Sequence, residues 1–388
     1  MSSKLLSSTN AFRFVFVLGF ANFFADMTYE GARSVMGPFL GSLGANAAVI
    51  GFVAGFGELI GYGLRSVTGM ISDRTGKYWA VTILGYIINM LAVPALALAG
   101  NWPLAAGLMV AERTGRAIRK PSTEAMLSFA GKQMGHGWVF GMNEALDQAG
   151  ATLGPLMISF VLFFHNGDYR RGFALLLIPA LLTIAVLLTA RYFFPTPREL
   201  DAGHPVRVEN FSKAYWLYLI AGGCIAAGFA DFSLIAFHFQ KTGSVSPVLI
   251  PILYAIAMAM GALGALIFGR LYDRFGLPVV LIAFFVSSFF APLAFLGGAW
   301  LAWPGVILWE IGMGAQESLL KPIVAGLISA NKRGTAFGIF DTGFGIAWFL
   351  GSALMGILYT KSILLLVIFS MILQLASLPI FILARKQQ

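Results

Sequence analysis

The feature that most constrains this chain is its length of uninterrupted apolar sequence. Runs of about twenty or more apolar residues recur from end to end, each long enough to cross the hydrocarbon of a bilayer as a helix. Read with that ruler, the runs fall near 11–33, 46–70, 78–99, 102–128, 137–164, 172–194, 213–238, 246–270, 278–299, 301–328, 334–359 and 362–384. Across 388 residues, 58% are hydrophobic and 11% charged, which excludes a soluble globular domain. The backbone of so apolar a chain must satisfy itself inside lipid, so helices are the expected elements.

The net charge of +9 invites a nucleic-acid reading, but the basic residues cluster on no soluble segment. They alternate by loop, about three to one in favour of one side, and the positive-inside rule then places both termini in the cytoplasm. The first run contains Asp26 and Glu30 and lacks a small-residue cleavage site, so it reads as a permanent helix rather than a signal peptide. Cys224, the only cysteine, lies inside an apolar run and suits a small buried role.

The longest polar stretch, TPRELDAGHPVRVENFS at 196–212, lies near the midpoint and reads as a cytoplasmic linker between bundles at 1–195 and 213–388. Short phrases repeat across it in the same order. GMISDRTGK at Gly69–Lys77 is matched by GRLYDRFG at Gly269–Gly276, 200 residues later. FADMTY at Phe24–Tyr29 is matched by FADFSL at Phe229–Leu234, aligning Asp26 with Asp231. Lys120-Pro121 aligns with Lys321-Pro322, and Glu144 with Asp341. A duplicated membrane bundle commonly encloses a transport path.

These residues resemble the major facilitator superfamily. Gly69, Asp73, Arg74, Gly76 and Lys77 fill its motif A between the second and third helices. A degenerate copy uses Gly269, Asp273, Arg274 and Gly276, then departs at Leu277-Pro278, where a basic pair is usual. The stretch ERTGRAIRKPSTEA is similar to the Arg-bearing motif B region, and Gly150, Gly154 and Pro155 resemble antiporter motif C, which here ends on Ile158-Ser159 instead of two further glycines. The resemblance implies an all-α membrane protein of twelve transmembrane helices in two pseudo-symmetric six-helix bundles that alternate access to a central cavity. It assigns Asp73 to a latch on a helix N-terminus of the eleventh helix. It also implies a multi-pass protein of a bacterial inner membrane, expected to act as a monomer.

Charges inside spanning helices carry the functional expectations, because each costs about 2.5–3.5 kcal/mol at mid-membrane on insertion scales. The fourth run carries Glu112, Arg113, Arg116, Arg119, Lys120 and Glu124. Glu144 and Asp147, three apart on the fifth run, share a face. An ion-pair network of Arg113 and Arg116 with Glu144 and Asp147 is expected, with a permanent brace between the two helices as the alternative. Arg119, Lys120 and Glu124 are expected near the cytoplasmic end, snorkelling or latching a gate. Glu58 and Arg65 share a helix face, and Glu30 is placed at the outer surface. In the second half Glu310, Glu317 and Lys321 fall on one stripe, and Arg116 aligns with Glu317.

Burial favours the neutral form of a carboxyl and a nearby Arg the ionised form, so opening and closing a cavity can couple protonation to conformation. Asp26, Glu144, Asp147 and Asp231 are therefore candidate proton carriers. Arg113, Arg116, Glu310, Glu317 and Asp341 are candidates for the substrate cavity. No P-loop, metal cluster, cofactor fingerprint or catalytic constellation appears, and no cofactor, metal or nucleic acid is expected. The expected partners are a small-molecule substrate, protons and the lipid bilayer. The leading reading is a secondary transporter, proton-coupled and exporting its solute by antiport. Its rivals are proton-linked uptake of an anionic metabolite and, remotely, a non-transporting assembly factor or membrane-embedded enzyme.

Overall fold

A computed structural model describes residues 8–134, 136–195, 211–316, 320, 323 and 333–387, and among them every regular element is a helix. In chain order these are α1 (Ser8–Arg33), α2 (Met36–Ser42), α3 (Ala47–Thr75), α4 (Tyr78–Ala95), α5 (Trp102–Met134), α6 (His136–Phe164), α7 (Tyr169–Leu175) and α8 (Leu177–Phe193). They continue with α9 (Lys213–Gly228), α10 (Phe232–Thr242), α11 (Leu249–Phe275), α12 (Leu277–Ser287), α13 (Phe290–Leu296), α14 (Gly298–Ala315), α15 (Arg333–Lys361) and α16 (Ile363–Lys386). The linker 196–210 lies outside the described residues.

Nine spans among the described residues are long and apolar enough to cross a membrane. The fourth, eighth and tenth expected spans are not among them; the seven charges of α5 dilute the hydropathy of the fourth, although its 33 residues extend about 50 Å. Local chemistry starts the helices. Asn101 accepts from Leu104 N ahead of α5, Ser212 from Tyr215 N ahead of α9, and Asn46 from Val49 N ahead of α3. Three expected continuous spans are interrupted: 172–194 is two helices meeting at Leu176, 213–238 breaks at 229–231, and 278–299 breaks at 288–289.

The chain divides into two compact units. One holds the chain up to Ala32, Leu64–Ala99 and the chain from Gly107 to the linker; the other holds Arg33–Gly63, Gly100–Ala106 and the chain after the linker. In the first, Leu18, Ala21, Tyr86, Met90, Leu127 and Leu187 form part of a buried core. Its helices touch through glycine. A Cβ on Gly150 would lie 2.2 Å from Phe23 O, and one on Gly154 2.1 Å from Met27 O, so α6 crosses α1 at backbone contact. Likewise α4 crosses α5 where Gly85 meets the Gly115 carbonyl and Arg119 N.

In the second unit, α9 packs on α15 and α16, α11 on α14, and α10 on α2. Gly51 and Gly55 bring α3 against Ser352 and Phe349 of α15, and Gly37 brings α2 against Ser233 of α10. Side chains serve the break before α10. Asp231 caps α10 by accepting from Ser233 N at 2.9 Å, Trp309 Nε1 donates to Ala230 O, and Ser370 Oγ and Gln374 Nε2 donate to Gly228 O. Freed backbone groups inside a membrane helix require such partners.

Candidate functional site

The glycine contacts of the first unit hold α1, α4, α5 and α6 together around a polar cavity of about 360 Å³. Asn22, Asp26 and Tyr29 line it from α1. Arg116, Arg119, Lys120, Thr123 and Glu124 line it from α5, and Asn143, Glu144 and Asp147 from α6. Seven charged side chains of both signs thus share one chamber.

The central ion pair joins Asp26 to Arg119 at 3.8 Å, both buried, with side chains 11% and 6% exposed. The Arg119 guanidinium also lies 4.4 Å from the ring centre of Tyr86, which approaches because Gly85 and Gly115 let α4 and α5 meet. Arg116, one turn earlier, lies 4.3 Å over the Tyr29 ring. A hydrogen-bonded chain runs from these cations to the far wall. Tyr86 Oη and Arg119 Nη1 donate to Asn22 Oδ1, Asn22 Nδ2 donates to Asn143 Oδ1 at 2.7 Å, and Asn143 Nδ2 donates to Asp147 Oδ2 at 3.0 Å. Glu144, exposed to the cavity, accepts from Gln148 at 2.9 Å.

Several expectations change. Arg116 of α5 lies over Tyr29 of α1 rather than against Glu144 or Asp147. Arg113 is 3% exposed and pairs with Glu112 at 3.4 Å, while Glu112 also accepts from Asn89 Nδ2. Arg119 does not snorkel: Asp26 and Tyr86 hold it inside the cavity, and Lys120 and Glu124 line the same space. Glu30 is buried, 5% exposed, rather than superficial.

In the second unit the Arg33 guanidinium lies 3.6 Å from both Glu58 and Asp231. Glu58 therefore meets Arg33 as well as sharing a helix face with Arg65. Glu310 is buried against α11, where Gly261 leaves room for its carboxylate. Asp341 is half-buried on α15. Glu317 and Lys321 lie outside the described residues.

At motif A, Gly69 faces Pro121 of α5, and Ser72 Oγ lies 2.6 Å from Ser122 Oγ. Gly76 and Gly276 both take positive φ, 66° and 67°, where their helices end. The duplicated glycine is thus a turn requirement met twice. Arg74, Lys77 and Arg274 are exposed; the side chains of Asp73 and Asp273 lie outside the described set.

The amides Asn22 and Asn143 and the rings Tyr29 and Tyr86 were missing from the expected site. A signal for the amides exists: Asn22 stands four residues before Asp26 and Asn143 four before Asp147, which sets amide and acid on one face of each helix.

A multi-pass all-helical membrane protein with a polar, ionisable cavity inside a helical unit defines a membrane transporter. Residues 18–352 match the Major Facilitator Superfamily. The chain belongs to that family. It is 37% identical over 376 residues to an uncharacterized protein of Mycobacterium tuberculosis, covering 95% of this chain and 92% of the relative. It is 27% identical to an uncharacterized MFS-type transporter of Methanocaldococcus jannaschii, covering 90% and 89%. A solved structure of the nucleoside transporter NupG shares the fold, with a TM-score of 0.76 at 14% identity over 95% of this chain and 99% of that one.

Proposed function

We propose that this transporter couples movement of a small solute to protons, exporting the solute by antiport across a bacterial inner membrane, with both termini cytoplasmic and the chain acting as a monomer. The observation that carries the reading is the chamber itself: Asp26, Glu144 and Asp147 share it with Arg116, Arg119 and Lys120. Acids and cations in one water-accessible pocket compete for protons and solute alike, and ion pairing and protonation are alternative ways of neutralising the same carboxyl. One proton crossing 100 mV releases about 2.3 kcal/mol, enough to drive uphill transport without a nucleotide. The motif C glycines Gly150 and Gly154, at backbone contact with α1, support the antiport direction. The sequence halves 1–195 and 213–388 are the bodies proposed to rock.

A second reading, proton-linked uptake of an anionic solute, is favoured by Arg116, whose guanidinium lines the cavity against an aromatic face and presents donors suited to a carboxylate or phosphate.

The test is solute flux in right-side-out and inside-out vesicles under an imposed pH gradient, with substrates drawn from a thermal-shift screen of metabolites at two pH values. Export predicts gradient-driven accumulation in inside-out vesicles only. Asp147→Asn and Glu144→Gln are expected to abolish that accumulation and leave exchange down a solute gradient intact. Unchanged gradient-driven accumulation in both variants removes these acids from coupling.

A further inference from the structure

We propose that Asn22 and Asn143 are positioning residues that transmit the protonation state of Asp147 to Arg119. The inference rests on the proton-coupled reading above and adds to it the route by which one acid informs another.

The hydrogen-bonded chain from Arg119 to Asp147 has a fixed polarity. A guanidinium only donates and an ionised carboxylate only accepts, so the two ends dictate how both amides between them must face. Arg119 and Tyr86 donate to Asn22 Oδ1, which turns Asn22 Nδ2 towards Asn143 Oδ1, which turns Asn143 Nδ2 towards Asp147 Oδ2. Both asparagines are buried, 5% and 9% exposed, in the wall of the cavity. The two were spaced for the task by the Gly150 and Gly154 contacts, which fix α6 against α1.

A proton on Asp147 disturbs that polarity. On Oδ2 it converts the acceptor into a donor facing a donor, and relief requires both amides to turn over, presenting Asn22 Nδ2 to Arg119 and Tyr86. On Oδ1, which has no hydrogen-bond partner among the described residues, it leaves the chain in place but removes the charge assistance that anchors it. In both cases the hold of Asn22 on Arg119 weakens, and the guanidinium is left to Asp26, 3.8 Å away. The ionisable groups facing Asp147 are Asp26 on α1, Tyr86 on α4, Arg119 and Lys120 on α5 and Glu144 on its own helix; only Arg119 and Tyr86 are joined to it through the amides.

The experiment is a pH titration of the full-length protein in lipid nanodiscs, followed by infrared difference spectroscopy with isotope-labelled arginine. The wild-type protein is expected to show a carboxylic-acid band that Asp147→Asn removes. A guanidinium shift that Arg119→Lys removes should accompany it, with the same midpoint. Asn143→Leu, which keeps shape and deletes both donor and acceptor, should retain the carboxyl band and lose the guanidinium shift at that midpoint. Asn22→Leu should do the same and serves if Asn143→Leu does not fold. A merely structural role for the amides lowers stability without separating the two signals. A carboxyl band with no guanidinium response in the wild type overturns the relay alone, as does Asn143→Leu or Asn22→Leu with both signals still together. Absence of any band removed by Asp147→Asn overturns the relay and the proton-carrier role of Asp147 together.

Discussion

Asp26 and Asp147 each follow an asparagine by one helical turn, and the two asparagines bond to each other across the α1–α6 contact. Asn22, Asn143 and Asp147 are thereby joined in a row, with Arg119 bonded to Asn22 at its other end and paired with Asp26. Removing one member of such a buried pair costs more than removing both. Arg119→Leu is expected to destabilise the protein by about 3–5 kcal/mol, because it leaves Asp26 buried and uncompensated. Adding Asp26→Asn should restore most of the thermal midpoint, measured on purified protein in detergent, while leaving proton-driven flux abolished. Equal midpoints for the single and double variants would show that the pair contributes no mutual compensation.

The acids of this site were visible in the sequence because a charge inside an apolar run is conspicuous. Asp26, Glu144, Asp147 and Arg116 are all brought to one cavity. Asn22 and Asn143 were overlooked, because a neutral amide in a spanning helix resembles ordinary filler, and only its four-residue spacing from an acid marks it. Arg119 was misplaced for a different reason. Counting 1.5 Å per residue from the start of a helix gives depth but not facing, and facing is what Asp26 and Tyr86 determine.

At the scale of elements, the first unit is organised by glycines at which a side chain has no room. Gly154→Val would drive a branched side chain into Met27 O and is expected to cost at least about 1–3 kcal/mol, lowering the thermal midpoint and the yield of folded protein. Gly61 has open space around it and serves as the control: Gly61→Ala should be neutral or slightly stabilising. At the ends of α3 and α11, Gly76→Ala and Gly276→Ala both place a Cβ at positive φ, at about 1–3 kcal/mol each, and Gly276, with ψ of −138°, lies outside the left-handed helical region. A midpoint unchanged by either substitution would mean that the turn relaxes to another conformation. Apolar length marks nine of the expected spans among the described residues. It did not show the breaks at Leu176 and at 229–231, because a break served by buried side chains leaves the run of apolar residues intact.

At the scale of the whole molecule, packing does not follow chain order. Arg33–Gly63 belongs with the chain after the linker, bound through Gly37, Gly51 and Gly55 and through Arg33 between Glu58 and Asp231. Arg33→Gln leaves two buried carboxylates facing each other and should loosen α2 from α10. In a Cys224→Ser background, a cysteine at Ser233, buried against Gly37, should then react faster with a membrane-impermeant thiol reagent, by about tenfold for each 1.4 kcal/mol lost. An unaltered labelling rate would show that the glycine contacts alone keep this face closed.

The interruption between α9 and α10 has a mechanical consequence. Its carbonyls at Gly228 and Ala230 are held by side chains of α14 and α16 rather than by the next helical turn. A rod jointed in this way can tilt its upper segment without unwinding any of its own ladder, and the stiffness of the joint is set by Trp309, Ser370 and Gln374, which are neighbours rather than parts of the rod. Flexure at this point is therefore governed from outside the element that bends.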